Sequence, residues 1–129
     1  LDDMTGEELG YAMDVLLEAG ALDVFFTPIY MKKNRPAVML SCLCKTEDRD
    51  KFTDLMFKHT TTRGVRYADY TRAKLNSAFE EIHTDAGIVR RKISTGENVV
   101  KAKLEFEDLR KIADALDLSI EDVRKLVRD

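Results

Sequence analysis

Three polar clusters carry the residue types that bind charged ligands: Asp2-Asp3, Lys32-Lys33-Asn34-Arg35 and Thr60-Thr61-Thr62-Arg63-Gly64. Carboxylates hold hard divalent cations, ammonium and guanidinium groups form charge-assisted hydrogen bonds with phosphate oxygens, and hydroxyls can serve either. Brought together, they would make a metal-polyphosphate site. Lys32, Lys33 and Arg35 concentrate three cations within a few residues, against the bland alternative of a solvated basic turn. Thr60, Thr61 and Thr62 are poor helix formers, and before Gly64 their hydroxyls and free backbone amides suit phosphate oxygens. Arg63 and Arg66 favour anion binding there over a plain helix-to-strand connector. Asp2 and Asp3 precede a helix, where acids ordinarily offset the dipole; opposite a phosphate they become candidate ligands for magnesium or manganese.

The elements that must position these groups are legible from periodicity. Thr5 with Glu8 forms a capping box, Leu9, Met13, Leu16 and Leu17 share a helical face, and Gly20 supplies a stop, which predicts a helix over 5–19. Two apolar runs, 22–30 and 38–44, flank the basic cluster and predict a hairpin. Thr46 is placed to cap a second helix lined by Phe52, Leu55, Met56 and His59, and 65–75 alternates as a long strand. With a strand ending at Asp2, its first part lying outside the chain, the order becomes βαββαβ.

That order predicts an α+β fold, a ferredoxin-like split βαβ antiparallel sheet over residues 1–76. Its connectivity sets Asp2-Asp3, the Lys32 turn and the Thr60 loop at the same end of one sheet. Residues 77–129 read as an appended subdomain, with strands at 79–84, 88–94 and 99–103, a helix through Phe106 and Leu116, and a last helix opened by Ser119 and Asp122.

The chain has 129 residues, 44% of them hydrophobic, enough for one domain or a domain with a small appendage. A formal net charge of -3 gives no global pull toward nucleic acid, so anion binding must come from local clusters. Cys42 and Cys44 sit two apart in a strand-like run, which suits core packing better than a disulfide and points to a reducing, cytoplasmic setting. No apolar run approaches a membrane span. His59 and His83 have no partner at metal-ligand spacing, and neither a Ser-His-Asp order nor a Walker-type loop occurs.

Four stretches taken together, Leu1 to Thr5, Glu18 to Val24, Thr27 to Pro36 and Thr60 to Arg66, closely resemble the carboxy-terminal region of the LarC family of nickel-insertion proteins. The likeness continues through Lys103 and Phe106-Glu107-Asp108. It implies that the full protein consumes CTP to insert nickel, its substrate, into pyridinium-3,5-bisthiocarboxylic acid mononucleotide. It further implies that this region binds CTP with magnesium or manganese, forms a homo-oligomer and works with the amino-terminal part of the same protein. By that likeness Lys32, Lys33, Arg35, Thr61, Thr62, Arg63 and Arg66 are the candidates for triphosphate contact.

Two other classes compete. Ferredoxin-like domains also serve as effector-binding regulatory modules without catalysis. Residues 109–127 read as helix, turn, helix, but Glu121 and Asp122 open the second helix and would repel DNA phosphates, so DNA binding ranks last.

Overall fold

A computed structural model describes residues 1–128, and the fold is α+β as expected. The chain divides into two units, Leu1–Tyr70 and Thr71–Asp129.

The first unit contains helix α1 (Gly6–Glu18), strands β1 (Asp23–Met31) and β2 (Arg35–Leu43), and helix α2 (Arg49–His59). Thr5 caps α1 through the full box: its Oγ1 accepts from Glu8 N at 3.2 Å, and Glu8 Oε2 accepts from Thr5 N at 2.8 Å. The other end closes with Gly20 at φ 98°, where Gly20 N donates to Leu17 O and Ala21 N to Leu16 O, a Schellman pair that a side chain at position 20 would strain. Lys51 of α2 donates to Ala19 O at 2.6 Å, tying the two helices at that end.

β1 and β2 pair antiparallel from Asp23↔Leu43 to Met31↔Arg35. Their shared face packs on Leu16 and Phe52 through Val24, Leu40 and Cys42. Cys42 and Cys44 lie half-buried against this core, and burial followed by the neighbouring Cys44 pushes the Cys42 thiol up to about 11. Both observations fit packing rather than reactivity.

Two expectations need correction. Thr46 makes no side-chain cap; Thr46–Asp48 is a 3-10 turn that leads into α2. The strand expected over 65–75 does not form, and β1 and β2 make a two-stranded sheet. A strand exists only by pairing, and in a split βαβ order the fourth strand pairs with the first. Leu1 exchanges two backbone hydrogen bonds with Val38 of β2 at 2.9 Å. The 65–70 segment is instead irregular, with the Tyr67 ring centroid 4.6 Å from the Arg49 guanidinium in a cation-π contact.

The second unit is a β-meander with two helices: β3 (Asn76–Thr84), β4 (Gly87–Gly96), β5 (Val99–Leu104), α3 (Phe106–Leu116) and α4 (Ile120–Arg128). The β3–β4 turn needs Gly87 at φ 138°, a backbone shape open to glycine alone. Val89, Leu109 and Val123 are fully buried in a core that joins β4 to both helices. Ser119 caps α4 as expected, accepting from Asp122 N at 3.1 Å and donating to Asp122 Oδ2 at 2.6 Å.

Asp108, in the first turn of α3, is the buried polar side chain of this core. Its carboxylate accepts from Arg90 N, Nε and Nη2 at 3.1, 2.8 and 3.1 Å, which fastens the helix to β4. These bonds hold its carboxyl at about 2, below the 3.8 of a free aspartate. A carboxylate depressed by folding contributes fully above the unfolded value and loses its contribution as pH falls toward the folded one. The second unit is therefore expected to loosen between about pH 4 and pH 2, read by hydrogen exchange of α3 and β4 peptides. Asp108→Asn should weaken that unit at neutral pH by about 1–3 kcal/mol and flatten its acid dependence over this window.

Candidate functional site

The chain's amino-terminal segment, the β1–β2 turn and the loop after α2 meet through side-chain bonds. Leu1 lies beside Val38, and Asp2, next along, accepts from Arg35 Nη1 at 3.3 Å. Asp3 accepts a hydrogen bond from the Thr61 hydroxyl. One aspartate thus reaches the basic turn and its neighbour reaches the threonine loop, which brings all three clusters to one rim of the first unit.

The turn is built to present its cations. Lys32–Asn34 forms a tight 3-10 connection between Met31 and Arg35, and it places Lys33 at φ 64° and Asn34 at φ 54°. Left-handed backbone is ordinary for asparagine and costly for lysine. Both lysines and Arg35 are exposed, and among the described residues neither Lys32 nor Lys33 has an ion-pair partner.

In the loop, the Thr60 hydroxyl donates to Met56 O at 2.7 Å and accepts from Thr62 N at 3.2 Å, while Thr62 Oγ1 donates to Gly64 O at 2.8 Å. These local bonds shape the loop and leave Thr61 turned to Asp3. Arg63 and Arg66 are exposed on either side of Gly64, and among the described residues neither forms an ion pair.

The Asp2–Arg35 pair is solvent-accessible, with side-chain exposures of 25% and 58%. Such a pair contributes at most about 1 kcal/mol, so a cation for the carboxylate and an anion for the guanidinium can replace it at little cost. Among the described residues, no group of three or more His, Cys, Asp or Glu side chains could hold a metal ion. Asp2 and Asp3 are hard oxygen donors suited to magnesium or manganese when phosphate and water complete the shell.

One feature of this rim escaped the sequence reading. Beside Thr60 and Thr61 a shallow, open depression lies along α1, lined by Met4, Glu7, Glu8, Tyr11, Lys58 and His59. Tyr11 and His59 meet edge to face with ring centroids 5.8 Å apart, although Tyr11 remains 61% exposed. Its signal was the spacing of positions 7, 8 and 11, a second helical stripe that is not part of the apolar face.

The first unit is thus an α+β domain whose chain start, hairpin turn and post-helix loop bring acidic, basic and hydroxyl groups to one exposed rim. The chain belongs to the nickel insertion protein family, whose model matches residues 1–124. It is 42% identical over 95% of its length to the pyridinium-3,5-bisthiocarboxylic acid mononucleotide nickel insertion protein of Acetivibrio thermocellus (strain ATCC 27405), and 46% identical over 88% to that of Lactiplantibacillus plantarum (strain WCFS1). It spans 30% and 27% of those two proteins. Among solved structures it resembles LarC2, the C-terminal domain of a cyclometallase involved in the synthesis of the NPN cofactor of lactate racemase, in the apo form. The TM-score is 0.88 at 42% identity, covering 98% of this chain and 88% of that one.

Lys33 offers a test of whether the turn is kept for binding or for folding. Lys33→Gly relieves a left-handed residue at about 1–2 kcal/mol but adds freedom to the unfolded chain at about 0.4–1 kcal/mol. The expected outcome is a net gain of about 0.5–1 kcal/mol in denaturant unfolding, with weaker binding of tripolyphosphate. Unchanged tripolyphosphate affinity would remove Lys33 from the site.

Proposed function

We propose that this chain is the CTP-binding portion of a CTP-dependent nickel-insertion enzyme, taking the nucleotide as its magnesium or manganese complex. The observation that supports the reading is the joining of Asp2 to Arg35 and of Asp3 to Thr61, which ties the acidic segment to the basic turn and to the threonine loop.

In this reading Lys32, Lys33 and Arg35 hold the triphosphate from the hairpin side, and Thr61, Thr62, Arg63 and Arg66 hold it from the loop. Asp2 and Asp3 supply oxygen ligands for the divalent ion, which when bound neutralises phosphate charge. Fixed cations around the outer phosphates stabilise the negative charge that develops as diphosphate leaves CMP. The names of the relatives support nickel and pyridinium-3,5-bisthiocarboxylic acid mononucleotide as substrates of the whole protein. In this reading the whole protein also has an amino-terminal part and works as a homo-oligomer.

Isothermal titration with CTP in magnesium or manganese buffer should give saturable heat. Replacing Lys32, Lys33 and Arg35 together with alanine should weaken it by about 100-fold or more, since hydrogen bonds to charged groups each contribute about 1.5–3 kcal/mol. No heat with CTP under conditions that saturate a control nucleotide-binding protein would defeat the reading. Binding of CTP that survives the triple substitution would move the site elsewhere.

A further inference from the structure

The sheet of the second unit turns one face to its core and leaves the other open. Ile82, Val89 and Leu104 point inward, so by strand alternation Ser77 and Phe79 of β3, Lys92 and Ser94 of β4, and Lys101 and Lys103 of β5 share the outer face. The register sets them in two cross-strand rows, Ser77 with Ser94 and Lys101, and Phe79 with Lys92 and Lys103. The segment before β3 adds two more cations. Gly96 leaves room for the Leu75 side chain, whose Cδ2 stands 2.7 Å from where a Cβ at position 96 would sit, and this seats residues 72–75 at the end of the sheet. Arg72 and Lys74 thereby line one shallow depression with Ser77, Lys92 and Ser94.

The charge on this face is uncompensated. Lys92 lies directly opposite Lys103, and like charges so placed destabilise a sheet. On the core side the arrangement is the reverse, with Arg91 paired to Glu80 across β4 and β3. Arg72, Lys74, Lys92, Lys101 and Lys103 are exposed and form no ion pair among the described residues. Glu81 follows Phe79 along β3 with its carboxylate 3.7 Å from His83 Nε2, and it bounds the cationic area on that side. Within the area, the Ser77 and Ser94 hydroxyls lie 2.9 Å apart, framed by cations. The Phe79 ring is 59% exposed, with Lys92 Nζ 5.9 Å from its centroid, the outer limit of a cation-π contact. Hydroxyls and cations suit a phosphate dianion, and an open ring suits a flat, positively charged group.

The pyridinium mononucleotide of the proposed reaction joins the matching groups in one molecule: a phosphate, a ribose, and a flat cationic ring bearing two acid groups. Ser77 and Phe79 are about 7 Å apart along β3, a separation that a ribose bridges. We propose that this face is the binding site for that class of ligand, an acidic pyridinium mononucleotide. Ser77, Ser94, Arg72 and Lys74 take the phosphate, Phe79 takes the ring, and Lys92 and Lys103 take the acid groups on it. This rests on the proposed reaction, which supplies the ligand class, and it uses residues distinct from those of the triphosphate rim. CTP brings a neutral ring without acid groups, so it does not match the row of Phe79, Lys92 and Lys103.

The test is titration of the chain with pyridinium-3-carboxylic acid mononucleotide, a member of the class with one acid group, beside inorganic phosphate and CTP with magnesium. The wild-type chain should bind the pyridinium mononucleotide more tightly than inorganic phosphate. Lys92→Gln and Phe79→Ala should each weaken the mononucleotide about tenfold or more, as expected for loss of one charge-assisted hydrogen bond and of one ring stack, and leave CTP affinity unchanged. Lys92→Gln also relieves the opposed lysines, so its unfolding temperature should match or exceed that of the wild type, which loss of a merely structural residue would not give. Where Phe79→Ala unfolds early, Phe79→Leu, which keeps an apolar side chain without the flat ring, is read in its place. Replacing Lys32, Lys33 and Arg35 together with alanine should leave mononucleotide binding unchanged. No binding of the mononucleotide by the wild-type chain, or binding that survives either Lys92→Gln or loss of the Phe79 ring, overturns this site and leaves the triphosphate reading to its own titration. Loss of mononucleotide binding in the triple variant puts the ligand at the rim of the first unit and likewise overturns it. If the mononucleotide binds as expected and CTP does not bind, the triphosphate reading falls and this site stands.

Discussion

The candidate site depends on the pairing of Leu1 with Val38. Two backbone hydrogen bonds at 2.9 Å hold Leu1 against Val38 of β2, two residues before Leu40, which packs on the core of Leu16, Val24 and Phe52. Fixed at Leu1 on one side and by the Thr5 capping box on the other, the intervening residues span only a few ångströms of freedom. Asp2 and Asp3 are then presented at a defined place, and each finds its partner on a different segment. Without that strand-like anchor, two acids before a helix would remain what composition alone suggests, a modest favourable interaction with its dipole.

The same rim shows how a chain of net charge -3 can favour an anion. At exposed positions long-range attraction is screened within about 10 Å at ordinary ionic strength, so the nearest groups decide what binds. The turn supplies Lys32 and Lys33, which have no ion-pair partner among the described residues, the loop supplies hydroxyls and amides, and the acids sit where a bound cation would convert repulsion of phosphate into bridging. The strained backbone at Lys33 has the same logic. A glycine would fit the turn more easily, whereas a lysine there adds charge at the tip of a hairpin whose packing against Leu16 and Phe52 can support the distortion.

What could be seen in the sequence follows from the range of the interactions concerned. The Thr5–Glu8 box, the Gly20 stop, the Ser119–Asp122 cap and the basic hairpin turn are local, and each formed where residue type and spacing placed it. The 65–75 segment misled because Val65, Tyr67 and Tyr70 satisfy strand propensity, and propensity says nothing about whether a ladder partner is present. The Tyr11–His59 contact joins residues on two helices, and the Arg90–Asp108 staple joins a strand to a helix; neither has a sequence signature. His59 at the end of α2 looked like a residue placed for the helix dipole, and only the packing of α2 beside α1 gave it a second use.

The two units also divide the polar chemistry differently. In the second, the buried Asp108 carboxylate has its bonds filled by Arg90, and the helices complete a core around Val89 and Leu109. A group so fully satisfied is structural, because a ligand could reach it only by breaking the bonds that hold α3 to β4. In the first unit the polar groups of the rim are exposed, weakly paired or without ion-pair partners, and they are carried on turns braced by a packed hairpin and two helices. That combination of rigid support and uncommitted charge is what a binding surface requires.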